Sequence, residues 1–276
     1  MSERESKERL FQAAEEMISS TGLTVGLDHL RFEDIIQRAG VARSAAYRIF
    51  PHKEHFYADL LGRLAGPSWA GTAAWDEETI KVAAATLISH LPDMRTAEDR
   101  WRAMLDACRL GAEQNLRSLI ASSHWRTYIA LNATVMSMPA GGTRSTLAEA
   151  LRTAEQEFLG RMASFYEALS RALGIRLRAE FGNDFRVPAA AGAAVVEGLG
   201  LRNSINPDMV ERRFERFSAV DETLGDWSLA AIGFTAILTS MIEPDPDWDP
   251  QNLELLRQMA SGDGEGPDAE ADLSSG

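Results

Sequence analysis

The chain has 276 residues, of which 45% are hydrophobic and 25% are charged, and its formal net charge at pH 7 is −13. This composition is typical of a globular protein of one or two domains and excludes a chain that is disordered throughout. Cys108 is the single cysteine, which excludes an internal disulfide framework and a cysteine-rich zinc module. The first ten residues are charged and lack an apolar segment, and the apolar stretch 227–242 is shorter than the roughly 20 residues of a membrane span. We therefore expect a cytoplasmic protein with no membrane partner.

The charge is distributed unevenly along the chain. Residues 243–276 contain ten Asp or Glu and one basic residue, Arg257, so this end carries nine of the net negative charges. Between Ile35 and Lys53, in contrast, there is no acidic residue, and three arginines and one lysine supply four positive charges. A polyanion responds to the local field at contact distance rather than to the total charge. The acidic composition therefore does not exclude a nucleic-acid partner.

The N-terminal part begins with the periodicity of two helices. Leu10, Ala14 and Met17 recur at i, i+4 and i+7, which predicts an amphipathic helix that Gly22 ends. The apolar residues of 32–39 then predict a second, short helix.

Two more short helices follow directly. Gly40 ends the second helix, the segment 43–50 predicts a third helix that Pro51 ends, and a fourth helix begins near Lys53. Two short helices joined by a tight turn that contains glycine are typical of a helix-turn-helix, whose second helix can enter a DNA major groove.

The segments RLFQAAEEMISSTG and FEDIIQRAGVARSAAYRIFPHKEHF resemble the DNA-binding domain of the TetR (tetracycline-repressor) family of bacterial regulators, over roughly residues 4–61. The most specific part of the resemblance comprises Ala39, Gly40, Val41, Tyr47, Arg48, Phe50 and Lys53. It implies that the third helix reads DNA, that Tyr47 reaches a phosphate and that Lys53 holds the DNA backbone. A phenol, an ammonium group and a helix N-terminus are all phosphate-binding groups.

Base recognition is expected from the start of the third helix. Arg43 can bind guanine O6 and N7, Ser44 can donate or accept a hydrogen bond, and Ala45 can contact a thymine methyl group. Ala42 stands where the family commonly has a capping Ser or Thr, and the loss of such a cap costs about 1 kcal/mol. The expected DNA-binding residues are Arg31, Arg43, Ser44, Ala45, Tyr47, Arg48, His52 and Lys53.

The rest of the chain reads as helical, with almost no alternation typical of strands, so we expect an all-α fold. Pro188 is expected to open one helix, and Asp226 to cap the last strong helix, 227–242. The expected domains are a DNA-binding domain over 1–62, a helical effector-binding and dimerisation domain over 63–260, and an acidic disordered tail over 261–276. The tail is either a solvated segment without a task or a regulatory segment that competes with DNA for basic residues.

No constellation of catalytic residues is apparent in the sequence. It lacks a nucleophile elbow, a phosphate-binding P-loop and a set of His and carboxylate residues at metal-ligand spacing. His52 and His55 lie three residues apart without a third ligand at useful spacing, so we expect exposed polar residues and no metal site. We therefore expect neither an enzyme nor a cofactor.

Two interaction surfaces are expected in the C-terminal part. Bulky side chains that the resemblance places around a small apolar or amphipathic effector are Trp101, Met104, Cys108, His124, Trp125, Tyr128, Met162, Phe165 and Tyr166; plain core packing is the alternative. The resemblance also implies a homodimer formed by two helices of each copy, with Val195, Gly198, Leu199, Trp227, Ala231, Phe234 and Leu238 at the interface. Packing within one chain is the alternative for these residues.

The function expected from the resemblance is a dimeric transcriptional repressor that binds a palindromic operator and is released by a small-molecule effector. A dimer suits this function because two recognition helices must lie about 34–36 Å apart to read successive major grooves. One alternative is a helix-turn-helix regulator without an effector, controlled by a protein partner. Another is an α-helical enzyme or small-molecule binder, which the acid-free segment disfavours.

Overall fold

The computed structural model describes residues 2–21, 30–66, 77–217 and 224–253, and this part of the chain is mostly helical. The expected helix stop at Gly22 and the tail 261–276 lie outside the described residues. The helices are α1 (Glu3–Thr21), α2 (Phe32–Ala39), α3 (Arg43–Ile49), α4 (Lys53–Leu64), α5 (Glu77–His90), α6 (Ala97–Ala121), α7 (Ser123–Ser137), α8 (Gly142–Leu173), α9 (Arg186–Asn203), α10 (Pro207–Val210) and α11 (Leu229–Met241). The strands are β1 (Ile175–Leu177), β2 (Arg213–Phe217), β3 (Leu224–Ser228) and β4 (Ile242–Pro244). No helix within these ranges is long and apolar enough to cross a membrane.

The chain forms two compact units whose limits differ from the expected domains. The first unit comprises 1–76 together with 117–161, and the second comprises 77–116 together with 162–276. The first unit extends beyond residue 62 because α7 packs on α1 and α4 and because α8 contributes apolar side chains to the same core. Each unit therefore contains segments that are distant in sequence.

Four phenylalanines form the centre of the first unit. Phe56 of α4 is fully buried, and its ring lies 5.3 Å from that of Phe11, 4.9 Å from that of Phe32 and 5.2 Å from that of Phe50, measured between centroids. These rings come from α1, from α2 and from the residue that ends α3. Aromatic pairs at such distances add specific geometry to the burial of a large apolar surface. The cluster therefore ties the first four helices to one point.

The turn between α2 and α3 has the geometry that its glycine predicts. Gly40 adopts a left-handed conformation with φ of 61°, and its N–H donates to the carbonyl of Gln37 at 3.2 Å. The N–H of Val41 donates to the carbonyl of Ile36 at 3.3 Å, which completes a Schellman motif. The predicted end of the second helix at Gly40 is confirmed.

The second unit contains strands that local periodicity did not predict. β2 and β3 form an antiparallel hairpin in which Arg213 pairs with Ser228, and β1 pairs with β4, which lies far from it in sequence. The guanidinium of Arg213 forms two hydrogen bonds of 2.6 and 2.7 Å with the carboxylate of Glu113 in α6. This ion pair anchors the hairpin to the helix.

The expected start of the last strong helix is wrong. Asp226 and Trp227 belong to β3, and the last strong helix begins at Leu229 with Ser228 as its N-cap, whose hydroxyl accepts from the N–H of Ala231 at 3.2 Å. Strand pairing uses the backbone of 226–227 and leaves the capping position to Ser228, the last residue of the ladder. α9 begins at Arg186, two residues before Pro188, which occupies its first turn.

Arg100, which stacks on Trp248, caps the C-terminal end of α8. Arg100 is buried, donates to the carbonyl of Leu173 at 2.9 Å, and has its guanidinium 3.5 Å from the ring centroid of Trp248. The indole N–H of Trp248 donates to the carbonyl of Arg171 at 3.0 Å. Carbonyls at the end of a helix lack partners within that helix, and these two side chains supply them.

We expect Gly40→Ala to lower the free energy of unfolding by about 1 kcal/mol or more, because an alanine at positive φ is strained although no atom lies within 4 Å of the added Cβ. Urea denaturation followed by circular dichroism measures this change. Gly62→Ala is the matched control: it also adds a methyl group in open space, but within α4 at an ordinary φ. It should raise stability by about 0.5–1 kcal/mol. Equal effects of the two substitutions would contradict the left-handed turn.

Candidate nucleic-acid interface

α3 turns one side to the core and the other to solvent. Ala46 is completely buried, whereas Arg43, Ser44 and Arg48 are exposed. Ala45 is half-buried and packs against the core of the first unit, so part of its methyl group is withdrawn from the solvent side. The exposed residues are thus ones that the sequence selected for DNA contacts.

The start of α4 carries two more of the selected residues. His52 is its N-cap and Lys53 its first residue, both are exposed, and the His52 side chain makes no capping hydrogen bond. A helix start without a side-chain cap leaves amide N–H groups available to an anion. The starts of α2 and α3, at Arg31 and Ala42, also lack a side-chain cap. The predicted absence of a cap at Ala42 is confirmed.

The cations of the first unit differ in whether they have a partner. The side chains of Arg48 and Lys53 form no ion pair or hydrogen bond with any residue that the structure describes. Three other cations are held by carboxylates: Lys7 by Asp59, Arg38 by Glu16, and Arg63 by Glu8 and Glu15. Arg4 and Arg9 of α1 likewise form no ion pair or hydrogen bond with a described residue, so positive charge without a partner lies on α1 as well as around the end of α3 and the start of α4. Arg38 belongs to the acid-free segment, but Glu16 of α1 offsets its charge.

Among the described residues, Glu33 is the acidic residue that forms contacts with two of the expected DNA-binding residues, Tyr47 and Arg43. The hydroxyl of Tyr47 donates to Oε1 of Glu33 at 2.8 Å, and Nη2 of Arg43 lies 3.9 Å from the same oxygen. The guanidinium of Arg43 also lies 5.6 Å from the centroid of the Tyr47 ring. The ring itself meets Phe32 edge to face at 5.5 Å, which holds it on the core.

The hydrogen bond between Tyr47 and Glu33 shifts the pKa values of both groups. It lowers the pKa of Glu33, and the positive charges of Arg43 and Arg31 lower that pKa further. It also raises the pKa of Tyr47, because the carboxylate stabilises the protonated phenol. Arg31 therefore acts on Glu33 through its charge.

Sequence reasoning missed Glu33 because the count of acids began at Ile35. Glu33 lies in the first turn of α2, and a tight turn between two short helices brings the start of the first helix close to the second. A count extended over the whole predicted helix pair would have found it.

His52 and His55 meet edge to face with ring centroids 5.7 Å apart. No group of three or more His, Cys, Asp or Glu residues suited to a metal ion occurs in the part of the chain that the structure describes.

The residues predicted for an effector pocket divide between the two units. His124, Trp125 and Tyr128 belong to the first unit, where Tyr128 packs on the core and donates to Glu155 at 3.1 Å. The other six, in the second unit, are Trp101, Met104, Cys108, Met162, Phe165 and Tyr166.

Within the second unit, part of the predicted pocket is brought together. Sγ of Cys108 lies 3.6 Å from Sδ of Met104, and the ring of Tyr166 lies 6.4 Å from that of Phe234. Burial raises the pKa of the Cys108 thiol to about 12, so this side chain is an uncharged apolar neighbour. Effector binding in this region stays a prediction.

Six of the residues predicted for a dimer interface belong to α9 and α11, which pack on each other within one chain, and the seventh, Trp227, lies in β3. A Cβ added to Gly192 would lie 2.5 Å from Cε2 of Phe234, and one added to Gly233 would lie 2.9 Å from Cγ1 of Val195. Leu199, Trp227 and Ala231 are buried in the single chain. Glycines thus allow the two helices to approach closely. The remaining residues of the set, Gly198 and Leu238, are half-buried.

We expect Glu33→Gln to lower the pKa of Tyr47 toward the ordinary value of about 10, because a neutral amide stabilises the protonated phenol less than a carboxylate does. Ring-labelled tyrosine and ¹³C NMR follow the titration, and the signal that Tyr47→Phe removes identifies the residue. Asp34→Asn is the matched control, since it removes an adjacent exposed charge on α2. If the pKa of Tyr47 were the same in wild type and Glu33→Gln, the hydrogen bond would be absent in solution.

Comparisons of the chain with protein-family models, with curated proteins and with solved structures found no significant match.

Proposed function

We propose that this protein is a DNA-binding transcriptional regulator, and that α2, the turn at Gly40 and α3 form its helix-turn-helix. The observation that carries the proposal is a pair of exposed cations, Arg48 and Lys53, which have no partner among the described residues and lie beside the uncapped start of α4. Elsewhere in the first unit, several cations are held by carboxylates. A pair of cations left without carboxylates next to free amide groups suits an external anion.

The geometry supports a division of roles among these residues. Lys53, the first amides of α4 and Arg48 suit DNA phosphates, which position a protein on the duplex without reading sequence. Arg43, whose side chain is 73% exposed, and Ser44 stand on the solvent side of α3 and suit base edges in the major groove. This is the arrangement that the TetR resemblance implies.

The proposal includes repression through a homodimer on a palindromic operator, with release by a small apolar effector. A helix-turn-helix monomer covers one half-site, and a second copy related by twofold symmetry covers the other. An effector that prefers one separation of the two recognition helices shifts operator affinity by its differential affinity for that state.

An exposed apolar strip on α9 supports the dimer. Val187, Ala190, Ala194 and Leu201 are exposed and follow one another at spacings of three, four and seven residues, so they share one face of the helix. The opposite side of α9 packs on α11. A second copy of the chain that covers the strip with its own α9 forms the self-complementary contact of a twofold dimer.

For DNA binding, we expect Lys53→Ala and Arg48→Ala each to weaken affinity for a mixed-sequence duplex by about tenfold at low salt. Each should also reduce the slope of log K against log salt by about 0.9, which is the value for one phosphate contact. Fluorescence anisotropy over a range of salt concentrations measures both quantities. Arg152→Ala removes the same charge from an exposed pair with Glu149 in the same unit, and it serves as control. Wild-type binding that does not depend on salt, or equal losses in all three variants, would refute the proposed interface.

For the dimer, we expect Ala194→Glu and Leu201→Glu to shift the protein toward monomer, because a charge in the centre of an apolar contact is desolvated without a partner. Sedimentation velocity measures the shift, and circular dichroism verifies that the helices persist. Met136→Glu is the control, since Met136 is also an apolar residue, 82% exposed, but on α7. A monomeric wild type, or dimers unaffected by both substitutions, would contradict the α9 interface.

A further inference from the structure

The hydroxyl of Tyr47 has one proton and can donate one hydrogen bond, and Glu33 already accepts that bond. The distance from the hydroxyl to Oε1 of Glu33 is 2.8 Å, which is typical of an O–H···O hydrogen bond. A phenol donates a single hydrogen bond, and the charged oxygens of a DNA phosphate only accept. Tyr47 therefore cannot donate to Glu33 and to a phosphate at the same time.

The two groups are held in place by the core beneath them. Phe32, which precedes Glu33 in α2, is almost completely buried and meets the Tyr47 ring edge to face at 5.5 Å. Arg43 lies over the same ring and has Nη2 3.9 Å from Glu33. A hydroxyl and a guanidinium thus converge on the carboxylate, as they would on a phosphate oxygen. In the free protein, the carboxylate of Glu33 therefore takes the place that a phosphate oxygen would have beside these two groups.

We propose that Glu33 competes with DNA phosphate for the hydroxyl proton of Tyr47 and so lowers the affinity of the protein for every duplex by the same factor. The proposal rests on the proposed function, since it assumes that Tyr47 faces DNA. Phosphates are identical in all sequences, so the competition does not depend on which bases are present. Its effect is to keep non-specific binding weak while the ratio between operator and other sites is preserved.

The competition also affects the environment of Glu33 in the complex with DNA. Once Tyr47 turns to phosphate, the carboxylate of Glu33 loses its donor and stays near a polyanion, with Arg43 as its neighbour. Without that donor, the carboxylate of Glu33 must be solvated by water. The exposure of the Glu33 side chain, 47%, allows this. The Tyr47 hydroxyl can thus leave the Glu33 carboxylate, but the loss of their hydrogen bond costs free energy.

The test compares affinities of variants for two duplexes of unrelated sequence at low salt, by fluorescence anisotropy. We expect Glu33→Gln to bind both duplexes about three- to tenfold more tightly than wild type, which is the range for a hydrogen bond of ordinary net strength. Asp34→Asn removes the same charge from the neighbouring residue and should change affinity by less than about twofold, because screened surface charges act weakly. In a Tyr47→Phe background, the gain in affinity from Glu33→Gln should fall to that from Asp34→Asn, because no hydroxyl remains to donate a hydrogen bond.

The outcomes separate this proposal from the function on which it rests. If wild type binds DNA through Lys53 and Glu33→Gln gains no more than Asp34→Asn, the competition is wrong and the proposed function stands. A gain that persists in the Tyr47→Phe background also overturns it, because the effect is then one of charge alone. If Glu33→Gln weakens binding to one duplex only, Glu33 contacts a base instead. If neither wild type nor any variant shows salt-dependent DNA binding, both proposals fail. The pKa of Tyr47 then still tests whether the hydrogen bond to Glu33 exists.

Discussion

The packing of Phe56 against three other phenylalanine rings is the contact on which the rest of the first unit depends. Its ring meets those of Phe11, Phe32 and Phe50, so one buried side chain of α4 sets the positions of α1, α2 and the end of α3. Phe32 extends the cluster outward to the ring of Tyr47. The hydroxyl of Tyr47 therefore stands at the rim of a rigid aromatic core. The position of this hydroxyl is therefore a consequence of core packing.

The electrostatics of the first unit follow from this arrangement. Helices packed around a common centre bring α1 carboxylates to Arg38 and Arg63, so several cations are offset by charges that are distant in sequence. Arg48 and Lys53 have no such partner within the part of the chain that the structure describes, and Glu33 is brought to Tyr47. The net charge of −13 says little about this surface. What an approaching polyanion meets is decided by which charges the fold pairs and which it leaves exposed.

In the second unit, polar anchors complement the helix packing. The bidentate pair between Glu113 and Arg213 ties the β2–β3 hairpin to α6, and Arg100 stacked on Trp248 closes the end of α8. Glu113 is buried whereas the Arg213 side chain is 41% exposed, so desolvation of the carboxylate opposes part of the attraction in this ion pair. Close approach of α9 and α11, through Gly192 and Gly233, directs the opposite face of α9 to solvent. That face is the one proposed for the second copy.

The sequence by itself determined the helical class, the turn at Gly40 and the missing cap at Ala42, because these depend on periodicity and on the backbone preferences of single residues. It also selected Arg43, Ser44, Arg48 and Lys53, all of which the structure exposes. Only the tertiary structure decided the pairing of β1 with β4, the division of the predicted pocket between two units and the contact of Glu33 with Tyr47. Each of these joins residues from separate elements. Local patterns carry no information on such contacts, because the free energy that forms them comes from packing across the fold.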